Sequence, residues 1–140
     1  ERQEREQEEK RQHQEAERRH TEEQARERRR QEREQEEKRQ RLASAVTPEV
    51  FHKHCDEGRT AEVVAALEAA RGDPERLRAL LEHRAGPDWT PLHDAAGNGH
   101  REVVRLVLEA GADRDAPAKD GRTPMHAAAG RGYREVVRLV

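Results

Sequence analysis

Apolar side chains are distributed very unevenly along this chain. Residues 1–41 contain only two of them, Ala16 and Ala25, among Glu, Arg, Lys, Gln, His and Thr. From Leu42 onwards, Val, Leu and Ala recur at helical spacing, and the apolar residues at 103, 104 and 106–108 lie on more than one side of a helix. The pattern therefore predicts a first segment that cannot bury a core, followed by short helices that are covered on two sides.

The first segment is predicted to be a single long helix. Almost all of its residues are strong helix formers, and neither Gly nor Pro interrupts it. Glu and a basic residue alternate four positions apart, as in Glu1/Arg5, and each such pair stabilises a helix by about 0.2–0.5 kcal/mol. A dozen such pairs are enough to hold a helix without a tertiary partner.

Residues 2–12 are repeated identically at residues 30–40, an offset of 28 residues or four heptads. However, no heptad register places apolar residues at both a and d, as a coiled coil requires. We therefore expect a semi-rigid spacer rather than a self-associating coil. Self-association through this helix stays an alternative, and so does a partly disordered charged tract.

The boundary between the two segments is predicted near residues 44–47, because Thr47-Pro48 is a helix start. This divides the chain into a charged segment, 1–44, and a repeat domain, 45–140. Within the domain, residues 50–70 align with residues 91–111, which predicts a divergent repeat over 47–71. A Pro at position 74 and Leu residues at helical spacing predict an extra helix over 74–84.

Two later stretches are close copies of each other. Thr90-Pro91-Leu92-His93 returns as Thr123-Pro124-Met125-His126, thirty-three residues later, and the residues that follow match as well. Thr is a helix N-cap, Pro suits the first helical position, and the Gly that ends each first helix suits a positive φ. A fixed period of this size is the signature of stacked repeats.

The period and the Thr-Pro-Leu-His sequence resemble the ankyrin repeat. The resemblance covers about 90 of the 140 residues, with a repeat over 88–122 and a truncated one over 123–140. It implies an all-α helical-repeat solenoid, here with a long N-terminal charged helix. Asp88 and Ala118 depart from the family pattern, in which Gly and Asp hold these places. We therefore expect less regular hairpin tips.

The resemblance also implies that the chain binds proteins, because this family contacts partners through the hairpin tips and the exposed face of the first helices. Gly97, Ala127 and Gly130 are expected on that face too. Trp89 is expected either to anchor a partner or to pack on the 74–84 helix. The expected partner-binding residues are Trp89, Asp94, Asn98, Lys119, Asp120, Arg122 and Arg131.

Catalytic, cofactor and metal chemistry find little support in the sequence. There is no phosphate-binding loop, dinucleotide-binding turn or nucleophile motif, so we expect neither an enzyme nor a cofactor. His93 and His126 are expected to belong to the repeat turn rather than to a catalytic site. His52, His54 and Cys55 lack the further ligands that a structural zinc site needs.

The net charge of −2 argues against binding to nucleic acid or to an anionic membrane. The single cysteine fits a reducing compartment, so a cytoplasmic location is expected, with the nucleus as an alternative. The missing initial Met and the repeat cut at Val140 suggest a piece of a longer protein. An alternative function is therefore the targeting of an enzyme or channel domain that lies outside this sequence.

Overall fold

The computed structural model describes all residues, 1–140, and confirms the all-α fold with its long N-terminal helix. No strand is present, and none of the helices has the length and apolar composition needed to cross a membrane. The helices are α1 (Arg2–Ser44), α2 (Pro48–Glu57), α3 (Thr60–Ala69), α4 (Pro74–Leu81), α5 (Pro91–Gly97), α6 (Arg101–Glu109), α7 (Pro124–Gly130) and α8 (Arg134–Leu139).

The chain forms two compact units, Glu1–Arg39 and Gln40–Val140. The first unit is a single helix in which every residue except the half-buried Ala25 is exposed. Local ion pairs line it, such as Arg19–Glu15 at 2.6 Å. No apolar stripe runs along it, because the sequence supplies none. The division of the chain into domains at residue 44 stays a prediction, although α1 does end at Ser44.

The second unit is built from three helix pairs, α2/α3, α5/α6 and α7/α8. The first helices of the pairs pack on one another in the order α2, α5, α7, and the second helices in the order α3, α6, α8. The core lies between these two rows and is extended by residues of α4, which packs against α2. Its fully buried side chains include Phe51, Cys55, Val63, Leu80, Leu92, Val103, Val104 and Val107. The α2/α3 pair therefore completes the stack although it lacks the Thr-Pro-Leu-His sequence.

Helix α4 packs against α2 and is shorter than the predicted 74–84 helix. Its Asp73 N-cap accepts the backbone N–H of Arg76 at 3.1 Å. The guanidinium of Arg76 reaches the C-terminal end of α1, where it donates to the carbonyl oxygen of Ser44 and, two residues beyond the helix, to that of Val46 at 3.2 Å. A cation at a helix C-terminus is favourable, so Arg76 acts as a cap for α1.

The glycines between paired helices allow close contact with the following repeat. Gly99 has φ +74°, and an ideal Cβ built on it would lie 2.7 Å from Cε1 of Tyr133. Gly58 holds the same place one repeat earlier, where a Cβ would lie 2.5 Å from Nδ1 of His100. Glycine is thus required at these two positions both by the backbone conformation and by the neighbouring ring.

Candidate functional site

Two hairpin tips, residues 85–89 and 118–122, precede α5 and α7. In the first tip, Ala85 and Trp89 exchange two backbone hydrogen bonds of 2.9 Å. In the second, the N–H of Ala118 donates to the carbonyl oxygen of Arg122 at 2.8 Å. The expected irregularity of the first tip is not found, because Asp88 itself adopts the left-handed conformation, φ +67°, that Gly121 adopts in the second.

The two tips are tied into one continuous edge. Nη1 of Arg84 donates to the carbonyl oxygen of Asp88 at 2.9 Å and to that of Pro117 at 2.7 Å. The backbone N–H of Lys119 donates to the carbonyl oxygen of Pro87 at 3.2 Å. These bonds fix the tips relative to each other, so the side chains that they carry form a single surface.

His93 holds α5 to the second tip. Its Nδ1 accepts the backbone N–H of Thr90 at 3.1 Å, which requires Nδ1 to be unprotonated. The proton therefore resides on Nε2, which donates to the carbonyl oxygen of Arg122 at 2.9 Å. Burial lowers the pKa of His93 and favours this neutral form. The expected structural role of His93 in the turn is confirmed.

Trp89 is the last residue of the first tip, and its side chain packs against α5. Its indole is stacked on the His93 ring, with centroids 5.9 Å apart and planes inclined by 25°, and it stays half-buried. An ideal Cβ on Gly97 would lie 3.4 Å from Cζ3 of Trp89 and 3.6 Å from Cβ of Ala127. Gly97 and Ala127 are both buried, so their expected exposure was wrong. Gly97 instead leaves room for the indole of Trp89 to pack directly against α5.

The first helices are joined by polar side chains near their C-termini. Nδ2 of Asn98 donates to Oδ1 of Asp56 at 2.7 Å, and Nη1 of Arg131 donates to Oδ1 of Asn98 at 3.2 Å. The three side chains come from α2 and from the C-terminal ends of α5 and α7. Asn98 is consequently engaged on both sides, whereas Arg131 is exposed.

Asp94 is engaged inside the protein as well. Its Oδ2 is hydrogen-bonded to Nε2 of His52, which is buried, and Nδ1 of His52 lies 3.1 Å from Nδ1 of His83. In the sequence, His52 attracts attention only as a neighbour of His54 and Cys55, with which it is considered as a zinc ligand. The alignment of α2 with α5 places His52 at the position of His93, and this was the signal that could have revealed an inter-repeat contact.

The thiol of Cys55 is neither accessible nor ionised, so it is unsuited to nucleophilic chemistry. It is fully buried in the core, and burial raises its pKa well above the usual range of a thiol. The histidines and carboxylates form no cluster of three or more ligands that could hold a metal ion. The side chains around Cys55 therefore serve packing.

The second tip presents the most accessible charges. Lys119, Asp120 and Arg122 are all exposed. The Asp120 carboxylate accepts the backbone N–H of Arg122 at 3.1 Å and lies 3.4 Å from its Nε.

Six of the seven expected partner-binding residues lie on the tips or at the C-terminal ends of α5 and α7, whereas Asp94 lies within α5 and is bonded to the buried His52. Asn98 also has partners within the fold. The role of all seven residues in binding stays a prediction.

Comparison with known proteins agrees with this architecture. A family model described as ankyrin repeats (3 copies) matches residues 63–140. The solved ankyrin repeat domain of human ASB11 superimposes with a TM-score of 0.53 at 22% identity, over 64% of this chain and 37% of that one, which shows the shared fold.

Curated relatives match shorter stretches. Human ankyrin repeat and KH domain-containing protein 1 is 44% identical over 63 residues, 45% of this chain and 2% of that protein. Human protein phosphatase 1 regulatory subunit 27 is 37% identical over 66 residues, 41% of this chain and 43% of that protein. The chain thus spans less than half the length of these relatives. The matched repeats and the stacked helix pairs together show that the chain belongs to the ankyrin repeat family.

Proposed function

We propose that this chain is a protein-binding module that recognises a partner protein through its joined hairpin tips and the adjoining ends of α5 and α7. Ankyrin repeats generally serve as protein–protein interaction modules. The observation that carries the proposal is the edge itself, where the half-buried Trp89 and the exposed Lys119, whose side chain has no partner within the fold, lie on joined tips. Half-buried aromatic residues of this kind are frequent anchors in interfaces.

Two further observations support a binding role over a catalytic one. His93 uses both ring nitrogens in hydrogen bonds within the fold, so neither nitrogen is free to act as a catalytic base. One relative is named a regulatory subunit of a phosphatase, a role exercised through association with another protein. The module is therefore proposed to be an adaptor rather than an enzyme.

A second candidate function is the targeting of a larger enzyme. It is favoured by the human NAD-capped RNA hydrolase NUDT12, which is 42% identical over 53 residues but matched over only 12% of its length. In such a protein the repeats would choose the partner, and the chemistry would reside elsewhere. Both candidates assign the same task to the edge, so one experiment on the edge tests them together.

The experiment is affinity capture from a cell extract, quantified by mass spectrometry. The wild-type chain is compared with a Lys119→Glu/Arg122→Glu variant and with an Arg71→Glu/Arg138→Glu control, whose exposed residues lie away from the tips. We expect a set of proteins that the tip variant loses and the control retains. Identical capture by all three chains, or equal losses in both variants, would contradict binding through this edge.

The proposal includes a role for α1 as a semi-rigid spacer. Support comes from the exposure of its charged residues and from its local ion pairs, including Arg30–Glu27 at 2.8 Å. A peptide of residues 1–39 should be helical and monomeric in analytical ultracentrifugation. Its helicity should fall as salt screens pairs worth about 0.2–0.5 kcal/mol each. A stable dimer would establish the alternative, self-association through this helix.

A further inference from the structure

We propose that the partner segment bound at this edge is an acidic extended peptide, held by Lys119, Arg122 and Arg131. This inference rests on the proposed function and specifies its ligand. The acidic segment would cross the second tip and the C-terminal end of α7, with its carboxylates facing the three cations.

Charge is segregated between the two clear repeats. Residues 85–117 contain six acidic and three basic side chains, whereas residues 118–140 contain five basic and two acidic ones. On the edge itself the second repeat contributes three cations and a single carboxylate, that of Asp120. The overall charge of −2 conceals this local positive end. Local potential rather than net charge steers a charged partner.

The three cations can each accept a new partner. Lys119 is exposed, and its ammonium group makes no hydrogen bond or ion pair in the structure. The Arg122 side chain is 67% exposed, so its 3.4 Å pair with Asp120 contributes little and can be exchanged. Arg131 gives one N–H to Asn98, which leaves other guanidinium donors for a carboxylate. Arginine suits this task because its fork of donors matches a carboxylate.

Few side chains protrude from the surface around the C-terminal end of α7. A Cβ added to Gly130 would meet no atom within 4 Å, so the end of α7 is open to an approaching backbone. Ala127 is buried and projects no side chain outwards. Beside Ala127, the indole of Trp89 packs against Gly97 and offers an apolar contact to a ligand. An extended peptide fits such a surface better than a bulky folded domain does.

A nucleic acid is the competing polyanion. Its backbone gains affinity in proportion to the number of phosphates neutralised, and this surface offers few cations, because Arg84 is already held by the carbonyl oxygens of Asp88 and Pro117. The carboxylates of Asp120 and Asp88, which are more than half exposed on the two tips, would oppose a continuous row of phosphates. Carboxylates of a peptide, by contrast, can be spaced to avoid them. The observations therefore favour a peptide.

The test uses Trp89, the single tryptophan of the chain, as the reporter. The full chain is titrated with capped Asp/Glu/Gly peptides that lack aromatic residues, and Trp89 fluorescence is recorded. Lys/Gly peptides, Ser/Gly peptides and single-stranded oligothymidylate serve as comparison probes. We expect a saturable response to the acidic peptides only, weakening as salt is added.

The matched variants carry three charge reversals each. The tip triple variant is Lys119→Glu/Arg122→Glu/Arg131→Glu, and the control reverses three exposed arginines elsewhere, Arg71, Arg78 and Arg138. The tip variant should bind the acidic peptide about a hundredfold more weakly, because each reversal replaces an exposed attraction with a repulsion. The control should bind within about threefold of wild type. Lys119→Glu alone, at a side chain without partners, covers any folding defect of the triple variant.

Each other outcome overturns the inference in a distinguishable way. A response only to basic or uncharged peptides would refute the acidic ligand and leave the binding edge intact. Preference for oligothymidylate would assign a nucleic acid instead. Equal weakening in both triple variants would show a nonspecific charge effect. If no probe changes the fluorescence of Trp89 and the tip variant captures the same proteins as wild type, both the inference and the proposed function are refuted.

Discussion

Replacing His93 by alanine tests the idea that this histidine joins neighbouring repeats. The chain provides its own control in His126, which lies 33 residues later and makes the same local bonds, with Nδ1 3.0 Å from the Thr123 nitrogen. His93 is fully buried and bonded through Nε2 to Arg122, whereas His126 is exposed and its Nε2 has no hydrogen-bond partner in the chain. The two substitutions therefore differ in burial, in the inter-repeat bond and in the stacking of His93 on Trp89.

The expected magnitudes follow from these contacts. His126→Ala removes a helix-capping interaction and should cost about 1 kcal/mol. His93→Ala removes the same interaction and also the hydrogen bond to the Arg122 carbonyl, which keeps only the N–H of Ala118 as a donor, and the loss of this bond costs about 1 kcal/mol. The space vacated by the ring between Trp89 and α5 adds about 1–2 kcal/mol. We expect a total of about 3–4 kcal/mol for His93→Ala, so the difference between the variants is about 2–3 kcal/mol.

The assay is urea unfolding of the full chain followed by Trp89 fluorescence. This tryptophan lies in the second unit, so the unfolding of the first unit, Glu1–Arg39, does not contribute a signal of its own. Midpoints are converted to free energies only if the dependence on urea has the same slope in wild type and both variants. Losses that agree within about 0.5 kcal/mol for the two variants would refute the inter-repeat role of His93.

Three further predictions follow from single residues. Burial lowers the pKa of His93, so folding stability should be full above about pH 6.5 and fall as the pH drops below it towards the lowered folded pKa; urea midpoints measured against pH should lose this component in His93→Ala. Asp88→Gly should be more stable than Asp88→Ala by about 1 kcal/mol and should therefore have the higher melting temperature, because φ is +67° at this position. Equal melting temperatures of the two variants would exclude backbone strain at residue 88. Gly99→Ala should destabilise more than Gly132→Ala in thermal unfolding, since φ is positive at both but only at Gly99 would the new Cβ meet Tyr133; equal losses would argue against that contact.

Much of the fold could be predicted because it depends on local rules. Thr90 caps α5 and Pro91 occupies its first position, as short-range hydrogen bonding and the fixed φ of proline require. Gly99 takes a positive φ, as the end of a first helix demands. The 33-residue period then implies that neighbouring pairs stack. The capping residues, the glycines and the period can all be read from the two copies in the sequence.

The candidate site could be predicted in position but not in its contacts. The repeat register placed Trp89, Lys119 and Arg122 on the tips. It could not show that Asp94 pairs with His52, because the two residues are 42 positions apart and in different repeats. Nor could it show that Gly97 lies beneath an indole instead of facing solvent.

The sequence by itself thus determined a solvated charged helix and a stack of capped helix pairs, since propensity, capping and apolar periodicity act over a few residues. Only the tertiary structure decided which polar side chains are left for a partner. Asp94 and Asn98 are used between repeats, while Lys119 and Arg122 stay accessible at the second tip. The physical reason is that a polar group brought into a stacked interface must find a partner there, and that partner comes from a distant part of the chain.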